Sequence, residues 1–170
     1  MATQEELERR YSEIGITGYL THGEVEESFR LVLETGSHPL SLSSLQMKAM
    51  LKLRRAEHKE ADHLIWQALQ VNPNDPITWK MRGDSSFMQN KYADAEEYYR
   101  KALTYKDSFE THHDLGVAIV QQGRVEECLQ HFKRACDLAP DRPDFQHHMS
   151  LMLILAGHEA AGWDRMQARL

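Results

Sequence analysis

The chain has 170 residues, 41% hydrophobic and 27% charged, and its 20 Lys plus Arg against 26 Asp plus Glu give a net charge of -6. These proportions belong to a globular chain large enough to bury a core, and they exclude disorder, a collagen repeat and a disulfide scaffold. An acidic chain with no long basic block repels phosphate, so nucleic acid is not an expected partner.

The N-terminus, MATQEELERR, puts charges where an export signal needs an apolar core. Within it, Thr3 and Glu6 have the spacing of a capping box opening a first helix. No apolar run is long enough to span a bilayer, and no membrane insertion is expected. The two cysteines, Cys128 and Cys136, are eight apart. On one helix that separates them by about 12 Å, too far for a disulfide. They read as small core residues of a chain in a reducing, cytoplasmic compartment.

A fixed interval organises the rest. Pro39 and Pro73 are 34 apart, while Pro73 to Pro140 and Pro76 to Pro143 are each 67, or 33 plus 34. The same interval joins Ala61 to Ala95, Ala68 to Ala102 and Ala135, Gly83 to Gly116, and Gly123 to Gly157. A period of 33 or 34 residues predicts repeated units over about 9–41, 42–75, 76–108, 109–142 and 143–170, the first and last degenerate. Apolar residues recur at helical spacing within a unit, as in Trp79, Gly83 and Phe87 and then Ala95, Tyr99 and Ala102, so each unit is two helices. Breaks are expected at QNKY and QQGR, and Asp75-Pro76 is an N-cap followed by a proline in the first turn.

These residues resemble the tetratricopeptide repeat (TPR) family. The unit from Pro76 carries the family's large residue at position 4 (Trp79), small residues at positions 8 and 20 (Gly83, Ala95), an aromatic at 24 (Tyr99) and alanine at 27 (Ala102). The unit from Phe109 matches through Leu115, Gly116, Gly123, Phe132, Ala135 and Pro140, with Cys128 at position 20. The unit from Leu42 keeps Ala49, Ala61, Ala68 and Pro73, although Lys48 and Lys52 fall where the family usually buries apolar groups. The resemblance implies an all-α, right-handed α-solenoid of about five TPR helix pairs, with a concave groove lined by the first helix of each pair.

No enzyme motif is present. His58 and His63 are five apart rather than four, so they do not share a helix face as a metal pair would. Catalytic residues, metal and cofactor are therefore all expected to be absent. Function is expected in the groove, where the family's inward positions carry over to Arg54, Lys80, Asp84, Phe87, Met88, His113, Val117, Val120, His147, Leu151 and Ile154 as candidate peptide-binding residues. His113 and His147 hold the same position of successive units, so stacking is expected to make them neighbours on helices about 8–10 Å apart. The Lys, Asn and Arg that clamp the acidic tails of heat-shock chaperones in one TPR subgroup are missing from positions 5 and 9.

The reading that follows is a non-enzymatic protein–protein interaction module holding a peptide or helix of a partner, in the manner of a secretion-type chaperone or adaptor. The stretch MSLMLILA, Met149 to Ala156, is apolar nearly all round, and it leaves room for a homodimer through the C-terminal apolar helix. The alternative is the substrate-recruiting TPR region of a bacterial glycosyltransferase-type enzyme, which the Gly162-Trp163 segment resembles.

Overall fold

A computed structural model describes residues 41–167, which fall within one compact unit, Leu40–Leu170. The capping box at Thr3 and Glu6 and all of the unit at 9–41 except Ser41 lie outside the described residues. Among these, eight helices and no strand occur: α1 (Leu42–Arg54), α2 (His58–Val71), α3 (Pro76–Met88), α4 (Tyr92–Tyr105), α5 (Phe109–Gln121), α6 (Val125–Leu138), α7 (Pro143–Leu155) and α8 (Glu159–Gln167). Each helix packs on the next in order, and α1 also touches α3. The fold is an all-α helical solenoid, with four helix pairs described.

Local chemistry sets where the helices begin. The side chains of Ser41, Asp75 and Ser108 accept the backbone N–H three residues on, from Ser44, Thr78 and Thr111, and so satisfy one orphan donor at the start of α1, α3 and α5. At α7 the equivalent Arg142 supplies no side-chain cap, and Pro143 opens the helix with a preset φ. Within a pair, the chain reverses through one residue in the left-handed region: Ala56 (φ 57°), Asn90 (φ 60°), Gly123 (φ 78°) and Gly157 (φ 84°).

Small residues let the paired helices approach. Ala49, Gly83, Gly116 and Ser150 on the first helices, and Ala61, Ala95, Cys128 and Gly162 on the second, are all buried. A Cβ built on Gly83 would lie 2.5 Å from the Tyr99 ring, and one on Gly116 would lie 3.0 Å from Phe132. A Cβ on Gly162 would lie 2.8 Å from the Ser150 carbonyl oxygen, so the glycine of Gly162-Trp163 is the contact that lets α8 reach α7. One core cluster joins Ala49, Leu53, Ala61, Ile65 and Met81; a larger one runs from Ala95 and Tyr99 through Leu115, Ile119, Cys128 and Phe132 to Phe145 and Met149. Cys128 and Cys136 are buried and form no disulfide, and burial pushes the Cys128 thiol up to about 11.

Successive pairs are joined by a polar contact that repeats once. Asp62 on α2 accepts from Ser85 at 2.6 Å and Gln89 at 3.3 Å, and Glu96 on α4 accepts from Gln122 at 2.8 Å and Arg124 at 2.7 Å. Burial works against the Glu96 charge, but the bonds from Arg100, Gln122 and Arg124 prevail and hold its carboxyl at about 2. At the next junction the corresponding residues are Leu129 and Ala156, and Leu129 packs on the larger core cluster.

Candidate functional site

The first helices α3, α5 and α7 lie side by side, and polar side chains link them. Tyr99, whose ring fills the space left by Gly83, donates its hydroxyl to Asp84 Oδ1 at 2.9 Å. Lys80 Nζ lies 3.1 Å from Asp84 Oδ2, one turn along α3, and 2.7 Å from Asp114 Oδ2 on α5. Asp114 Oδ1 is 3.2 Å from His113 Nδ1, and His113 Nε2 is 2.6 Å from His148 Nδ1 on α7. One continuous polar chain therefore runs from α4 across three first helices.

Electrostatics follow from that arrangement. Burial disfavours the Lys80 charge, but Asp84 and Asp114 outweigh it and raise the ammonium above the usual lysine range. Burial also opposes the Asp114 charge, and contact with His113 and Lys80 overcomes it and lowers the carboxyl. Asp84 is raised, by burial first. For Tyr99, burial first and then the carboxylate of Asp84 push the phenol up. Lys80 thus balances one of two carboxyl groups, and by formal charge the trio is left negative, with burial working against the charge on Asp84.

The other candidate residues divide by position. Phe87, Val117 and Val120 are partly buried and pack against the larger core cluster. Ile154 is half-buried, and Met88, Leu151 and Leu155 are 47%, 40% and 59% exposed. Arg54 is exposed at the end of α1, outside the polar chain. His147 is exposed, with its ring centroid 6.3 Å from that of His148. The expected pairing of His113 with His147 is replaced by a stack of His113 on His148, with centroids 4.8 Å apart. The reason is an offset of one residue between neighbours: position 5 of a first helix meets position 6 of the next, at Lys80 with Asp114 and again at His113 with His148.

Asp114, His148 and Tyr99 are members of this network that the inward positions alone do not identify; Asp114 and His148 would follow from repeat arithmetic with that one-residue offset. A second histidine pair lies nearby. His112 Nε2 bonds Asp107 Oδ1 at 2.8 Å, which makes that nitrogen the donor and leaves His112 Nδ1 to accept from His131 Nδ1 at 3.2 Å. His131 Nε2 is then a buried lone pair with no partner. Burial first, and then neighbouring His112, pull the His131 imidazole down to about 4.

Among the described residues no group of three or more His, Cys, Asp or Glu is placed to hold a metal ion, and no helix is long and apolar enough to cross a membrane. Val117, Val120, Leu151 and Ile154 lie on the same two helices, α5 and α7, as the Asp114, His113 and His148 of the polar network.

The family model for the Tetratricopeptide repeat matches residues 76–108. A Peroxisomal targeting signal receptor from Candida glabrata is 31% identical over 80 residues, which is 46% of this chain and 14% of the receptor, so this chain matches only a small part of that relative. Among solved structures, PilF from Pseudomonas aeruginosa superposes with a TM-score of 0.76 at 20% identity over 95% of this chain and 74% of that one. The first TPR domain of Spaghetti (RPAP3), bound to the HSP90 peptide SRMEEVD, gives 0.64 at 17% identity over 68% of this chain and 93% of that one.

Proposed function

Because this chain is a tetratricopeptide repeat protein, we propose that it is a non-catalytic interaction module that holds a peptide or helix of a partner protein on the face of α3, α5 and α7, as an adaptor or chaperone. The observation that carries the reading is aliphatic surface on α5 and α7 that the core does not fully cover: Leu151 is 40% exposed, and Val117, Val120 and Ile154 are half-buried. Peptide capture by the RPAP3 domain is support by likeness of fold. Apolar anchors of this kind are the usual means by which helical grooves take a partner segment.

Burying one such side chain is worth roughly 1.5–3 kcal/mol before ordering costs, so a charge placed there weakens binding about tenfold. Val117→Glu and Leu151→Glu, shown by circular dichroism to keep their helices, are expected to lose that much affinity in calorimetry against the partner recovered with the parent chain. Unchanged affinity in both variants refutes the reading and moves binding to another face.

A further inference from the structure

The lysine that α3 contributes to this inner face is already taken. Lys80 sits between Asp84 and Asp114, at 3.1 and 2.7 Å. Beyond it, α5 and α7 contain no lysine or arginine at all, yet they carry Glu110, Asp114 and Asp144. Arg142 answers Asp144 at 2.8 Å. Asp84 and Asp114 keep side-chain exposures of 31% and 30%, so neither side chain is sealed off from a segment laid on this face. The aliphatic row of Val117, Val120, Leu151 and Ile154 runs along the same two helices. An acidic tail laid along α5 and α7 would meet an excess of formal negative charge and no lysine or arginine of those two helices, while a lysine or arginine would relieve it.

We propose that the inner face is keyed to a partner segment in which apolar residues alternate with lysine or arginine, and that it rejects acidic tails. This rests on the binding face proposed above. The apolar residues of the segment lie on the aliphatic row of α5 and α7. Its basic residue lies against the Asp84 and Asp114 carboxylates.

Three fluorescein-labelled probes test it by anisotropy on the whole chain: the helical peptide LKKLLKLLKKLLKL, the same peptide with glutamate in place of every lysine, and SRMEEVD. The lysine probe is expected to bind at least about fivefold tighter than the glutamate probe, with the gap narrowing as salt rises. Asp84→Asn with Asp114→Asn should collapse that preference and raise the affinity for SRMEEVD, because Lys80 is released. Asp94→Asn with Glu97→Gln removes the same charge from exposed positions on α4 and should leave the preference intact. A glutamate probe that binds as tightly as the lysine probe overturns the inference, as does a control pair that acts like the inner pair. If the Asp84 and Asp114 variant does not fold, the probe comparison on the parent and on the α4 control still decides. Binding of the lysine probe that ignores Leu151→Glu refutes the face itself, whereas binding that is sensitive to Leu151→Glu but blind to charge refutes only the charge rule. Failure of all three probes to bind overturns both.

Discussion

In the pair α3–α4, Trp79 and Tyr98 stack with centroids 6.0 Å apart and an interplanar angle of 27°; in the pair α5–α6, the same two repeat positions hold His112 and His131, stacked at 5.4 Å and 25°. The geometry survives the exchange, so it belongs to the packing of the helices and not to the rings that fill it. The chemistry does not survive. Trp79 and Tyr98 gain cations at their faces, from Lys101 at 6.0 Å and Arg82 at 5.1 Å. His112 instead donates to Asp107 and accepts from His131, whose other nitrogen is buried without a partner. The first pair is therefore insensitive to mild acid at this contact, and the second carries a group that resists protonation.

The largest expected effect breaks this contrast with pH. His131 falls from the ordinary 6.5 to about 4 in the folded chain, so folding favours its neutral form. Its contribution is fully present above pH 6.5 and is lost as pH falls from there toward about 4. Full burial of the shift would amount to at most about 3 kcal/mol, and burial-lowered His112 and His148 act in the same direction. Urea denaturation between about pH 7.5 and 5 should show stability declining with acid, and His131→Phe should remove more than about half of that decline. A parent and variant with the same pH slope would show that this contact does not titrate with folding.

A smaller effect sharpens the comparison at the packing glycines. An added methyl gains up to about 1 kcal/mol from helix propensity, and overpacking costs about 1–3 kcal/mol. At Gly83 the new Cβ would fall 2.5 Å from a Tyr99 ring that is tethered to Asp84, so the ring cannot easily give way. At Gly116 it would fall 3.0 Å from Phe132, which carries no polar tether. Gly83→Ala is expected to destabilise by about 2 kcal/mol and Gly116→Ala by less than about 1 kcal/mol, read from thermal or urea unfolding. Equal losses would mean that the Tyr99 hydroxyl does not fix its ring.

The glycines show why the architecture was legible in the sequence. A residue that must be small, or must take a left-handed φ, recurs in each described helix pair, and the first helices begin at Leu42, Pro76, Phe109 and Pro143. Side-chain partners were less legible. The period places His113 and His147 at equivalent heights, but the rotation of neighbouring helices decides which side chains face, and one residue of offset brings His148 to His113. Pairing of Lys80 with Asp114 depends on the same offset, so the engaged state of that lysine lies beyond what inward positions reveal. Gly162 is a case in the other direction, where a segment resembling a functional motif has a packing reason in its contact with Ser150 and Ile154.

The smallest effect concerns the turns within the pairs, where the first described pair departs from the others. Asn90, Gly123 and Gly157 suit the left-handed region, whereas Ala56 at φ 57° carries a Cβ that crowds the backbone there. The penalty for an L-residue in that region is roughly 1–2 kcal/mol, and glycine gives part of the relief back through the entropy of its unfolded chain. Ala56 is exposed, so no packing is lost with its methyl. Ala56→Gly should therefore stabilise the chain by about 0.5–1 kcal/mol, while Gly123→Ala, at φ 78° with open space around it, should destabilise it by about 1 kcal/mol through conformation alone. Opposite shifts in the unfolding midpoint of the two variants are the signature of a turn whose backbone is set by the repeat; a loss in both would mean that the Ala56 methyl contributes a contact that outweighs its strain.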